Sequence, residues 1–112
     1  MRSDQQQQMR LRNRVLLRDR YRCVYCGQVF PPDQLTLDHV QPRMRGGDGS
    51  EGNLVTSCRS CNALKGGQAA WSFLAKHPEL RANFFESVEQ CDATQAQPVW
   101  SRHLRAIRQA VS

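Results

Sequence analysis

The stretch LTLDHVQPRMRGGDGSEGNLVTSCRSCNALK, residues 35–65, sets the fold of this chain. Its first six residues, Leu35 to Val40, alternate between apolar and polar side chains, the period of a strand with one buried face. Residues 43–52 hold four of the seven glycines, which is a loop composition. Asn53 to Thr56 reads as a second short strand. Arg59 to Lys65 suits a short helix, with Gly66 and Gly67 to end it. The expected order is therefore strand, loop, strand, helix.

Two CxxC pairs frame the loop of this stretch: Cys23 and Cys26 precede the stretch and Cys58 and Cys61 lie within it, with 31 residues between the pairs. Each CxxC turn presents two sulfurs to one metal, and two turns complete a tetrahedral site. TyrArgCysValTyrCysGly, residues 21–27, has the form of a zinc knuckle, with Gly27 free to take the turn after the second ligand. Four thiolates leave no open position, so the expected metal is a structural Zn²⁺. Disulfides and a redox CxxC are the alternatives, disfavoured in a reducing compartment. Cys91 is left over and reads as an ordinary thiol.

Outward from this core the chain is helical. Residues 4–20 read as a helix with an apolar stripe of Leu11, Val15, Leu16 and Leu17. Residues 68–76 read as a helix carrying Trp71, Leu74 and Ala75. Pro78 marks the start of another, with Leu80, Phe84, Phe85 and Val88. Pro98 opens a last one, with Trp100, Leu104, Ile107 and Val111. The boundaries are 4–20 for a basic N-terminal helix, 21–66 for the core and 67–112 for a helical extension, all within a single domain 1–112.

Composition narrows the function. The chain has 112 residues, 39% of them apolar, so its core is modest and a metal staple is useful. No apolar run approaches the ~18 residues of a membrane span. The start, MRSDQQQQMRLRNR, lacks an apolar core, which predicts no secretory leader and a cytoplasmic protein. The net charge is +6, and residues 1–22 carry seven arginines against two aspartates. Arg forks match phosphate oxygens in pairs, so a polyanion is the natural partner. A merely solvated Arg-rich helix is the alternative.

The order CxxC, Asp38-His39, Gly46-Gly47, Asn53-Leu54, CxxC-Asn62, Lys65 resembles the zinc-stapled branch of the HNH endonucleases, over about residues 15–66. The resemblance implies a small α+β fold: a ββα-metal motif stapled by structural zinc, between a basic N-terminal helix and C-terminal helices. It implies that His39 is the general base that activates water. It implies that Asp38 binds a divalent metal, that Asn53 steadies the loop and the base, and that Asn62 ligates the same metal. Asn62 stands where many relatives carry His, which marks the HNN variant. Carboxylate and amide oxygens are hard ligands and favour Mg²⁺ or Mn²⁺.

The implied activity is hydrolysis of phosphodiester bonds in DNA, with RNA not excluded. A His with its ordinary pKa near 6.5 can accept a proton from water at neutral pH. Arg10, Arg12, Arg14 and Arg18 are expected to contribute nucleic-acid affinity. Arg43, Arg45 and Lys65 are expected at flanking phosphates, or else in solvent. A monomer with one site nicks one strand, and a homodimer cuts both. The competing functions are a non-catalytic zinc-stapled DNA-binding module and a structural zinc protein that binds another protein.

Overall fold

The computed structural model describes residues 2–40 and 51–89. Arg43, Arg45, Gly46, Gly47, Cys91 and the helix expected from Pro98 lie outside the described residues. The elements are α1 (Arg2–Arg18), β1 (Leu35–His39), β2 (Leu54–Cys58), α2 (Arg59–Lys65), α3 (Ala70–Lys76) and α4 (Arg81–Glu89). The fold is small α+β, with a two-stranded sheet and four helices among these residues.

β1 and β2 pair antiparallel, from Leu35 opposite Cys58 to His39 opposite Leu54. β2 starts one residue later and ends two residues later than the sequence suggests, because Glu51–Asn53 forms a 3-10 turn that leads into it. All five β2 residues are buried, so β2 is covered on both faces and carries no polar alternation. The helix after β2 has the expected bounds. Its N-cap is Cys58, whose sulfur accepts the Cys61 amide, and its C-cap is Gly66 at φ 61. A glycine takes that left-handed conformation at little cost.

α1 ends earlier than expected, and the reason is geometric. The Tyr21 amide bonds the Leu16 carbonyl and the Arg20 amide bonds the Leu17 carbonyl. This is a Schellman ending, with Arg20 and Tyr21 at φ 60 and 56 where glycine is usual. Of the apolar stripe, Val15 and Leu16 are buried and Leu11 is half-buried, whereas Leu17 is 67% exposed. Neighbouring helix residues lie about 100° apart, so Leu16 and Leu17 cannot share one narrow face.

α1 is tied to β2 mainly by polar groups. The Asp19 carboxylate accepts the Thr56 amide at 2.9 Å. Arg18 pairs with both oxygens of Asp19 and donates to the carbonyls of Glu51 and Leu54. The knuckle closes as a tight hairpin: Cys23 N–H meets Gln28 O, and Gly27 N–H meets Cys23 O. Val24 N–H then bonds Thr56 O, which joins the knuckle to β2. α3 and α4 cover the far side. Phe73 and Phe84 flank the ring of Tyr25, with centroids at 5.3 and 5.8 Å. Asn83 of α4 donates to the Tyr25 carbonyl at 2.9 Å. Leu16, Val24, Tyr25, Leu35, Val40, Val55, Phe73, Leu74 and Phe84 form one core cluster.

Candidate metal centres and active site

The knuckle and the β2–α2 junction bring four cysteines together. Their sulfurs all lie within 4.8 Å of one another, and Cys26 and Cys58 are 3.9 Å apart. Zn–S bonds of about 2.3 Å in a tetrahedron require S···S edges of about 3.8 Å. The donor set therefore fits a zinc ion. The amides of Cys26 and Cys61 point at the first sulfur of their own pairs, at 3.5 and 3.4 Å. Such N–H groups stabilise thiolates. All four cysteines are free thiols.

Without a metal the cluster resists full ionisation. Burial, then the neighbouring sulfurs, pushes the Cys61 thiol well up. Burial also takes Cys26 up to about 11. Burial raises Cys58 too, but the Cys61 amide and the neighbouring cysteines outweigh it and leave this thiol below its ordinary value. Cys58 is thus eased toward its thiolate while Cys26 and Cys61 hold their protons, and a cation is what makes four thiolates tolerable together.

The second centre lies at the end of β1. Adjacent strand residues point to opposite sides. Asp38 faces inward and is 6% exposed, whereas His39 is half-buried. The Tyr25 hydroxyl donates to Asp38 Oδ2 at 2.6 Å. Lys65 Nζ lies 3.1 Å from each Asp38 oxygen and donates to the His39 carbonyl at 3.1 Å. Burial, then the Asp38 charge, holds the Tyr25 hydroxyl well above its ordinary pKa, so it stays a donor. Asn53 is buried, and its carbonyl accepts the Val40 amide at 2.9 Å. That bond continues the ladder past His39. Asn62 stands on α2 one turn before Lys65 and is half-buried. Residues three apart share a helix side, and Lys65 turns that side toward β1.

The arginines divide into two groups. Arg18 is buried at 3% side-chain exposure in its pair with Asp19, and Arg12 donates to the carbonyls of Pro32 and Leu35. Arg12 is half-buried and holds its two carbonyls near the surface, whereas the Arg18 fork is engaged inside the fold. Lys65, expected at a flanking phosphate, is likewise 2% exposed and bound to Asp38. Arg10 is exposed. Arg14 is 56% exposed and paired with Glu51 at 3.2 Å. Sequence reasoning passed over Tyr25 and Asp19. A Tyr between two knuckle cysteines is a usable signal, because a buried hydroxyl needs a partner. Asp19 carries no comparable local sign.

Among the described residues no helix is long and apolar enough to cross a membrane. A comparison with protein families matches residues 23–68 to the HNH endonuclease family. No curated protein matches the chain. Among solved structures, the crystal structure of the Type II-C Cas9 enzyme from Actinomyces naeslundii is similar, with TM-score 0.63 and 24% identity. The similarity covers 90% of this chain and 10% of that one, and it bears on the fold. The matched segment spans both CxxC pairs, the Asp38-His39 strand end and α2, so the similarity to the HNH endonuclease family rests on residues 23–68.

Proposed function

We propose that this chain is a metal-dependent endonuclease that hydrolyses phosphodiester bonds in DNA. One observation carries the reading. β1 ends in a buried Asp followed by a half-buried His, braced by Lys65 from α2 and by Asn53 at the start of β2. In this reading a Zn²⁺ on Cys23, Cys26, Cys58 and Cys61 is structural. It ties the knuckle to the β2–α2 junction and so holds the strand pair in register.

His39 is the general base, and an imidazole nitrogen takes the proton of the attacking water. Asn53 steadies the backbone beside it. Asp38 and Asn62 offer hard oxygen donors whose chemistry suits Mg²⁺ or Mn²⁺. Such a cation, when bound, supplies charge neutralisation at the phosphate. Arg10 and Arg14 hold backbone phosphates from the exposed side of α1, and Arg43 and Arg45 are assigned to flanking phosphates. Arg12, Arg18 and Lys65 organise the fold. The contacts of α1 with β2, and of α4 with the knuckle, support one domain.

A non-catalytic DNA-binding module is the second reading. It is favoured by the Asp38 carboxylate being bonded already by Tyr25 and Lys65. Nicking of supercoiled plasmid by the zinc-loaded chain, with and without added Mg²⁺ or Mn²⁺, separates the two. Cleavage should need the added metal, and His39→Ala should slow it by about 10²–10⁴. Zinc content, melting temperature and DNA binding should stay near wild type. A wild-type chain that shifts DNA in a gel but never cuts it supports the second reading.

A further inference from the structure

Lysine is rarely fully buried unless it is paired. Lys65 is 2% exposed, and its Nζ straddles both Asp38 oxygens at 3.1 Å while donating to the His39 carbonyl. Tyr25 adds a 2.6 Å hydrogen bond to the same carboxylate. The Asp38–Lys65 pair is neutral as a unit, so this burial needs no further cation. An ionised carboxylate accepts at about four lone-pair sites, so Asp38 can still take a metal. That metal must share the carboxylate with an ammonium at contact distance. Charge–charge terms at such distances change equilibrium constants by roughly a factor of ten or more.

We infer that Lys65 is a resident counter-cation of Asp38 that competes with the divalent metal. Metal then enters the free protein weakly, and more strongly once an anionic phosphate offsets the added charge. The same ammonium holds the carbonyl of His39, so Lys65 is also a positioning residue for the base. The inference rests on the reading of Asp38 as a metal ligand.

The test is Mn²⁺ binding to the full zinc-loaded chain, measured as loss of the free-Mn²⁺ electron paramagnetic resonance signal. Wild type, Lys65→Met, Lys65→Arg and Asp38→Asn are compared. Lys65→Met should bind Mn²⁺ at least about tenfold more tightly than wild type. Lys65→Arg should stay close to wild type, and Asp38→Asn should lose the site. A short DNA duplex should tighten Mn²⁺ binding more in wild type than in Lys65→Met. The melting temperature of Lys65→Met should fall and then recover in Mn²⁺, but not in NaCl of equal ionic strength. Should Lys65→Met not fold, Lys65→Gln keeps a hydrogen-bond donor without the charge and faces the same threshold. Unchanged or weaker Mn²⁺ binding without the Lys65 charge, with Asp38→Asn still losing the site, overturns the inference and leaves Asp38 a ligand. Mn²⁺ binding that survives Asp38→Asn, or is undetectable at millimolar Mn²⁺ in every variant, overturns the Asp38 reading and the inference with it.

Discussion

The cysteine cluster and the Asp38 cluster share the knuckle and α2 and solve opposite problems. At the cysteines, four donors of one kind converge within 4.8 Å of one another. At Asp38, one carboxylate meets a lysine and a tyrosine, and charge is balanced by the chain itself. Arg18 and Asp19 form a second self-contained pair, bidentate and buried. A site that its own side chains leave unbalanced depends on a metal for the fold. A site that they balance folds without one, and any metal there must compete.

The largest effect expected from this contrast is at the cysteines. Cys58→Ser should remove a sulfur ligand while its hydroxyl still caps α2, and should leave little folded protein, because zinc-binding energy is folding energy in such sites. Circular dichroism with metal analysis checks this. Zinc uptake should release protons and weaken as pH falls, since Cys26 and Cys61 hold their protons in the metal-free chain. A folded, zinc-free Cys58→Ser would break the contrast outright.

Arg18→Ala comes next. It leaves the Asp19 carboxylate buried without its cation and should cost about 3–5 kcal/mol in chemical denaturation, with zinc still bound. An effect below about 1 kcal/mol, the range of exposed pairs, would mean that this pair is not buried in solution.

Tyr25→Phe should cost less, about 1.5–3 kcal/mol, the range for a hydrogen bond to a charged group. The ring keeps its packing between Phe73 and Phe84, so the loss isolates the hydroxyl. If Asp38 depends on that hydroxyl, plasmid cleavage should fall more than stability does. Equal cleavage rates in the two proteins would confine Tyr25 to the core.

The smallest effect on stability should come from Arg10→Ala with Arg14→Ala. Both side chains are exposed, so stability should move by no more than about 0.5 kcal/mol. DNA affinity should fall, and its log–log dependence on salt should flatten by up to about 2. The same pair of substitutions at Arg12 and Arg18 should instead unfold protein without a clean change in slope.

Much of this molecule is legible along the chain. The helix from Arg59 to Lys65 has the bounds read from its composition, because Cys58 caps it and Gly66 terminates it locally. The CxxC spacing announces the sulfur cluster, because each turn is a local structure that needs one partner turn. The end of α1 is not legible, since Arg20 and Tyr21 adopt the left-handed conformation without a glycine to signal it. Nor does the charge of Arg18, Arg12 or Lys65 reveal its use. The same side chain serves phosphate in water or a carbonyl in the core, and burial decides which.

The sequence by itself determined the element order, the sulfur donors and the adjacency of Asp38 and His39, because each depends on residues within a few positions of one another. Only the tertiary structure decided which cations are spent inside the protein. Lys65 lies 27 residues from Asp38 and Arg18 lies 36 from Leu54, so those contacts arise from packing and not from local chemistry. The balance of charge at Asp38 is a property of three elements meeting: the knuckle that brings Tyr25, the strand that ends in His39 and the helix that ends in Lys65.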